Sequence, residues 1–276
     1  AALTDPDGLL AACGRPLVLD EVQRAPDLLR AVKLSVDRDR KAGSYLLTGS
    51  ADVLTLRRVS ETLAGRVAVH ELHPLTLSEI SGLPASRALS DLFEAKDARE
   101  LLERWPARDD GGPARIRERI LRGGFPNPAL DLDLPERGNW FDGYRQTYVE
   151  RDLRELSDVE QLPDFANLMS ALALRTGQIL NLSSLSRDLG IPFSTLRRHV
   201  HLLLQTYQAF LLFPWVSSPV RRMAKAPKAY AGDTGFACHL SAADTWEDLV
   251  RQGRVGPMLE SWICSELRAL KSLTPP

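Results

Sequence analysis

At 276 residues, with 44% hydrophobic and 26% charged residues and a net charge of -1, the chain has the composition of an ordinary globular protein of about two domains. Thirty-five basic residues against 36 acidic ones exclude a globally basic surface for nucleic acid, so any such surface is local. Cys13, Cys238 and Cys264 are odd in number, far apart and without Cys-x-x-Cys spacing, which excludes a disulfide framework and a structural zinc site and fits reduced cytosolic thiols.

The chain opens on Ala1-Ala2-Leu3-Thr4-Asp5-Pro6, which has no basic segment leading into an apolar core. Nowhere do about 18 uninterrupted apolar residues follow one another, so a cytoplasmic protein without membrane contact is expected. A helix is predicted near residues 5–12. Leu17-Val18-Leu19 then runs into Asp20-Glu21, and a short apolar run ending in acid predicts a buried central strand, over 16–20, in a parallel sheet. Such a strand delivers its acids to the carboxyl edge of the sheet, where α/β folds place ligands. Asp20 there would hold a nucleotide-bound Mg²⁺ and Glu21 would orient the attacking water. The competing reading is a solvated loop after a core strand.

Pro26 begins a helical pattern over 26–38, with Leu28, Leu29, Val32, Leu34 and Val36 as its apolar positions. Tyr45-Leu46-Leu47-Thr48-Gly49-Ser50 repeats the strand design, with a strand over 44–48 ending in small hydroxyls. Ser50 or Thr48 would sense the terminal phosphate. A helix over 52–62, a strand over 66–72 and a short helix beginning with Leu75-Thr76-Leu77-Ser78-Glu79-Ile80 complete this part.

These strands, with Ser60-Glu61-Thr62-Leu63-Ala64-Gly65-Arg66 and Glu71-Leu72-His73-Pro74-Leu75-Thr76, resemble a prokaryotic ATPase family of the AAA type. The carboxyl half of that family is a domain of unknown function with a winged helix and a nuclease-like end, and the resemblance covers nearly the whole chain. It implies ATP binding at Asp20 and Glu21, with Mg²⁺. It also makes Arg66 a candidate for neutralising charge in phosphoryl transfer, against the plainer reading of a surface arginine after a turn. A phosphate loop, Gly-x-x-x-x-Gly-Lys-Ser/Thr, is absent, and no Gly-Lys-Ser or Gly-Lys-Thr occurs. The family pattern puts it upstream of residue 1, so both ends are expected to be cut. A degenerate homologue that lost ATP binding is the alternative.

Between 83 and 160 a helical lid or connector is expected. Leu89–Leu102 has helical spacing, 108–113 is a break, and Ile116–Arg122 is helical up to Gly123-Gly124. Gly123-Gly124-Phe125-Pro126 matches a turn of the family and is assigned to packing, with Phe125 buried. Trp140–Glu155 is a predicted helix whose Tyr-x-x-Arg-Asp-Leu run again resembles the family. Arg151 or Arg154 would reach nucleotide from a lid, or pair locally, as Glu150 with Arg154.

From 161 to 218 the pattern is helix (Phe165–Arg175), short helix capped by Asn181 or Ser183 and ended at Gly190, and longer helix capped by Ser194 or Thr195. Closed by the strand-like Ala209–Phe213, this predicts a winged helix-turn-helix. Its third helix carries Arg197, Arg198, His199 and His201 with no acid, so Thr195, Arg197 and Arg198 are the DNA-contact candidates. Residues 219–276 are expected to begin an α/β nuclease-like domain. There Lys228 and Asp233 match the family pattern, and Glu260 corresponds to a helix-borne acid whose further metal ligands the chain does not reach.

The predicted fold class is therefore α/β, a partial P-loop sheet (1–82) followed by a helical region, a winged helix and the start of a nuclease-like domain. ATP binding and hydrolysis is the expected function. A winged-helix DNA-binding module and an ATP-gated nuclease subunit are the alternatives.

Overall fold

The computed structural model describes residues 4–49, 63–84, 86–105, 112–147, 162–217 and 225–273. They fall into two compact units, Ala1–His70 with Gln205–Tyr207, and Glu71–Leu204 with Gln208–Pro276.

In the first unit, Asp5 Oδ1 accepts the Gly8 N–H at 2.8 Å and Pro6 supplies the fixed φ of a first helical position, so α1 runs Pro6–Ala12. The two apolar runs form β1 (Leu17–Leu19) and β2 (Tyr45–Leu47), parallel, with Leu17 opposite Tyr45 and Leu19 opposite Leu47. Between them a 3₁₀ turn (Val22–Arg24) leads into α2 (Pro26–Arg38), which buries Leu28, Leu29, Ala31 and Val32. Leu19, Tyr45 and Leu47 pack from the sheet against Val22, Leu29, Val32 and Leu63.

Strand alternation sends the residues between them the other way: Val18 is 61% exposed and Leu46 59%. The expectation of a strand buried on both faces is thereby corrected. Among the described residues the sheet has two strands and α2 covers one face only. The strand expected over 66–72 is also not formed. Val67 and Val69 are exposed, and no described strand pairs with this stretch. The helix expected over 52–62 lies outside the described residues.

The second unit begins with α3 (Leu77–Ile80), closed by a capping box of Thr76 and Glu79. The helix expected over Leu89–Leu102 is two, α4 (Ala88–Glu94) and α5 (Ala98–Arg104), because Asp97 accepts the Glu100 N–H at 2.9 Å and starts a new helix. Next come α6 (Gly112–Arg122), α7 (Pro126–Leu130) and α8 (Leu134–Thr147). Helix α8 starts six residues before the expected Trp140, where the Glu136 carboxylate accepts the Asp133 N–H. Tyr148, Glu150, Arg151, Asp152 and Arg154 lie outside the described residues.

Helix α9 (Leu162–Leu174) is followed by β3 (Gln178–Ile179), α10 (Leu182–Leu189), α11 (Phe193–Gln205), β4 (Ala209–Leu212) and β5 (Lys228–Ala231). The antiparallel sheet has the order β3-β5-β4. Its middle strand thus comes from beyond residue 219, where sequence reasoning began a new domain. After β5 the described residues form helices only: α12 (Thr234–Leu240), α13 (Trp246–Arg251) and α14 (Val255–Leu273). One core joins α9, α10 and α11 to Phe141 and Phe236. A second gathers Ile120, Ala237, Leu249 and Met258.

Candidate functional site

The tips of β1 and β2 are tied together residue by residue. Thr48 donates its N–H to the Leu19 carbonyl at 2.9 Å and accepts the Val22 N–H at 3.1 Å. Between these anchors Asp20 is exposed, and its Oδ1 accepts the Thr48 hydroxyl. Glu21 stands in the left-handed region, φ 52° and ψ 46°, a conformation that costs a side-chain-bearing residue about 1 kcal/mol or more. The turn is forced because Val22 must plunge into the core while its N–H returns to Thr48. A carboxylate and a hydroxyl therefore meet at the carboxyl edge of two parallel strands, and the half-buried Glu21 follows next in the chain.

This donor set fits a divalent cation held through its water shell by Asp20. Among the described residues no group of three or more His, Cys, Asp or Glu would ligate a metal directly, and the sequence supplies no Gly-Lys-Ser/Thr cradle for phosphates. Ser50 lies outside the described residues. Arg66 is engaged elsewhere. Its Nε and Nη2 reach both carboxylate oxygens of Asp37 on α2, at 2.7 and 3.1 Å, and Nη1 donates to the Ala64 carbonyl at 2.9 Å. This fork holds the Asp37 carboxyl below the usual carboxylate range and raises Arg66 in turn. Asp37, absent from the sequence-based candidates, carries no motif; only its spacing of four from Lys33 places it on a charged face of α2.

On α10 and α11 the local chemistry is resolved. Asn181 caps α10, its Oδ1 accepting the Ser184 N–H at 2.9 Å, and Gly190 ends it at φ 67°. Helix α11 takes its first bond from the Pro192 carbonyl to Leu196 N–H at 2.9 Å, so neither Ser194 nor Thr195 opens it. Arg197, Arg198 and His201 are exposed and Thr195 is half-buried. His199 is different: it is buried, edge-on to Phe165, and desolvation lowers its pKa. It belongs to the neutral core and adds no charge to the surface.

Two further groups of polar side chains lie in the second unit. Glu260 of α14 accepts from Lys228 Nζ and Tyr230 OH of β5, both at 2.6 Å, and these partners hold its pKa low. The Gly123-Gly124 and Asp233-Thr234-Gly235 segments, each legible separately, meet. Asp233 is buried and accepts the N–H of Gly124 at 2.6 Å and of Phe236 at 2.8 Å, while desolvation raises its pKa. Phe125 is half-buried among Trp140, Tyr144 and Phe236. That accords with a packing role for this turn.

Comparison with known proteins places these features in a class. Residues 4–81 match the family model of an AAA domain, and residues 113–247 match that of a domain of unknown function (DUF8612). The chain thus carries an AAA-type, ATPase-like segment followed by a segment similar to a domain of unknown function. It is 29% identical over 273 residues, 99% of its length, to uncharacterized protein Rv2008c of Mycobacterium tuberculosis and to uncharacterized protein Mb2031c of Mycobacterium bovis. The chain spans about half, 55%, of the length of these curated relatives. No solved structure matches it significantly. Among the described residues no helix is long and apolar enough to cross a membrane.

Proposed function

We propose that the chain carries the magnesium- and water-handling half of an ATP hydrolase. The observation that supports this most is the pairing of Asp20 with Thr48 at the tips of two parallel strands in register. In this reading Asp20 holds the water shell of Mg²⁺, Thr48 fixes the carboxylate's orientation, and Glu21 polarises the attacking water from its left-handed turn. Mg²⁺, when bound, neutralises charge on the transferring phosphoryl group. Arg66 acts as a brace on α2 through Asp37. Phosphate cradling is a task for residues outside these 276.

The test uses the full-length protein. Glu21→Gln keeps nucleotide affinity within about threefold and lowers turnover by roughly 10²- to 10⁴-fold, the usual worth of a positioned acid–base group. Hydrolysis at the parent rate removes Glu21 from its role.

A second reading rests on a different observation. The order α9, β3, α10, α11, β4, β5, with β5 central in the sheet, supports a winged helix, and α11 exposes Arg197, Arg198 and His201. In this reading α11 meets duplex DNA at the phosphate backbone, with Thr195 at its edge. Duplex affinity that falls steeply with salt supports it, and absent or salt-independent binding sinks it.

A further inference from the structure

Arg137, near the start of α8, is only 7% exposed, yet among the described residues its guanidinium meets no hydrogen-bond or ion-pair partner. The buried Arg254, by contrast, donates to the Gln252 side chain at 3.1 Å and to the Ala173 carbonyl at 2.5 Å. A guanidinium carries five donors and stays charged in a protein. Desolvation pushes the Arg137 pKa down, and the like charge of Arg122 adds to this, but neither neutralises the group.

The unpartnered nitrogens are not sealed in. Arg137 lines a cavity of about 10 Å³ in the second unit, where Leu121, Leu134 and Phe141 supply apolar surface and Cys238 and Asp244 also border the space. Among the described residues no carboxylate pairs with Arg137. Glu118 is bound to Arg122 at 2.9 Å, and Asp142 to His239 at 3.0 Å. Asp244 is exposed and attracts Arg137 only from beyond ion-pair distance. Cys238 adds no charge, since burial pushes its thiol up to about 12.

Size and sign together select the occupant. A cavity of this volume has room for about one water-sized body. Water would satisfy donors and leave the charge uncompensated, which is strongly unfavourable away from bulk solvent. A monatomic anion fills nearly the same space and cancels the charge, whereas sulfate, phosphate and organic anions are too large. We propose that this pocket binds a small monovalent anion, of chloride size, as the counterion of Arg137. The anion ties α8 to α12, whose Gly235 and Cys238 share the lining. The site lies wholly in the second unit and stands whether or not the first binds ATP.

The test replaces sodium gluconate by sodium chloride at constant ionic strength. With the 276-residue chain, ³⁵Cl NMR is expected to show protein-dependent line broadening that saturates and gives a Kd. Raising chloride to about ten times that Kd is expected to increase the folding constant in urea unfolding roughly tenfold. Arg137→Met keeps a long stem without the charge. It is expected to lose the broadening and the chloride dependence, and in gluconate to fold with a constant above the parent's. Asp244→Asn, at an exposed side chain, removes a neighbouring negative charge and is expected to tighten chloride at least threefold; this arm decides the matter even if Arg137→Met does not fold. A parent whose folding ignores chloride holds water only and overturns the proposal. So does equal broadening by Arg137→Met, or a loss of stability in gluconate on Asp244→Asn, which would make Asp244 the counterion.

Discussion

Glu266 offers a direct measurement of how residues 71–81 are held. Its Oε1 accepts the Leu77 N–H at 2.9 Å, at the start of α3. Burial, with a smaller push from the Glu79 charge, lifts its pKa from an ordinary 4.5 to about 7, against the pull of the Leu77 bond. A group whose folded pKa is raised contributes stability fully below its unfolded value and loses it as pH climbs through the folded one. At about 1.36 kcal/mol per pH unit, the whole displacement is worth about 3 kcal/mol, and most of it, roughly 2 to 3 kcal/mol, is lost between pH 5 and pH 8.

Glu266→Gln keeps the carbonyl acceptor for Leu77 and cannot ionise. Urea unfolding followed by fluorescence of the five tryptophans is the assay, run at pH 5, 6, 7 and 8 on both chains. The variant is expected to gain roughly 2 to 3 kcal/mol on the parent across that range. His73, whose pKa burial lowers, works in the opposite sense, losing stability as pH falls; it is present in both chains and leaves the difference largely intact. A parent and variant with parallel pH profiles, or a variant less stable than the parent at pH 8, refutes the buried-acid argument.

Two other outcomes follow from geometry. A Cβ on Gly235 would stand 2.3 Å from the Arg122 carbonyl oxygen and 2.6 Å from the Gly123 nitrogen, both backbone, so Gly235→Ala is expected to destabilise by roughly 2 kcal/mol or more in the same urea assay. Gly138→Ala in α8 meets nothing within 4 Å and is expected to be neutral or to stabilise by up to about 1 kcal/mol. On α11, Arg197→Ala with Arg198→Ala is expected to reduce the salt slope of duplex binding by about two, one per phosphate contact, as read by anisotropy between 50 and 200 mM salt. An unchanged slope removes both arginines from the interface.

The strand tips were legible because a short apolar run closed by acid or hydroxyl has few other uses, and Leu17–Leu19 and Tyr45–Leu47 form as expected. Which face of each strand is covered was not legible, since Val18 and Leu46 are as apolar as their neighbours. His199 was misread through counting charge along a helix and ignoring its faces: three residues beyond Leu196 and one before Val200, it shares their buried side. Asp233 and the Gly123-Gly124 turn stood out separately. Their meeting joins residues 109 positions apart, and no local pattern encodes such a contact. Glu266 was missed for the same reason, its partner being 189 residues away.

Family segment and compact unit part company over residues 71–81. The AAA match runs to residue 81, whereas the first compact unit ends at His70 and sequence reasoning placed the boundary at 82. Among the described residues the long-range ties of this stretch run within the second unit. Arg268 reaches Glu71 at 2.7 Å, Leu75 N–H donates to the Gly124 carbonyl at 2.8 Å, and Glu266 takes the Leu77 N–H. Arg115 bonds the Ser81 hydroxyl. A piece cut at 82 would therefore carry a tail stripped of its partners, with Leu75 and Leu77 N–H groups left to water. Arg268 also lays its guanidinium 4.1 Å over the Phe210 ring of β4, and Phe210 stacks on Tyr230 of β5 at 5.2 Å. Residues 71–81 of the AAA segment thus stand two side-chain contacts from the β4–β5 hairpin and share the packing of the second unit.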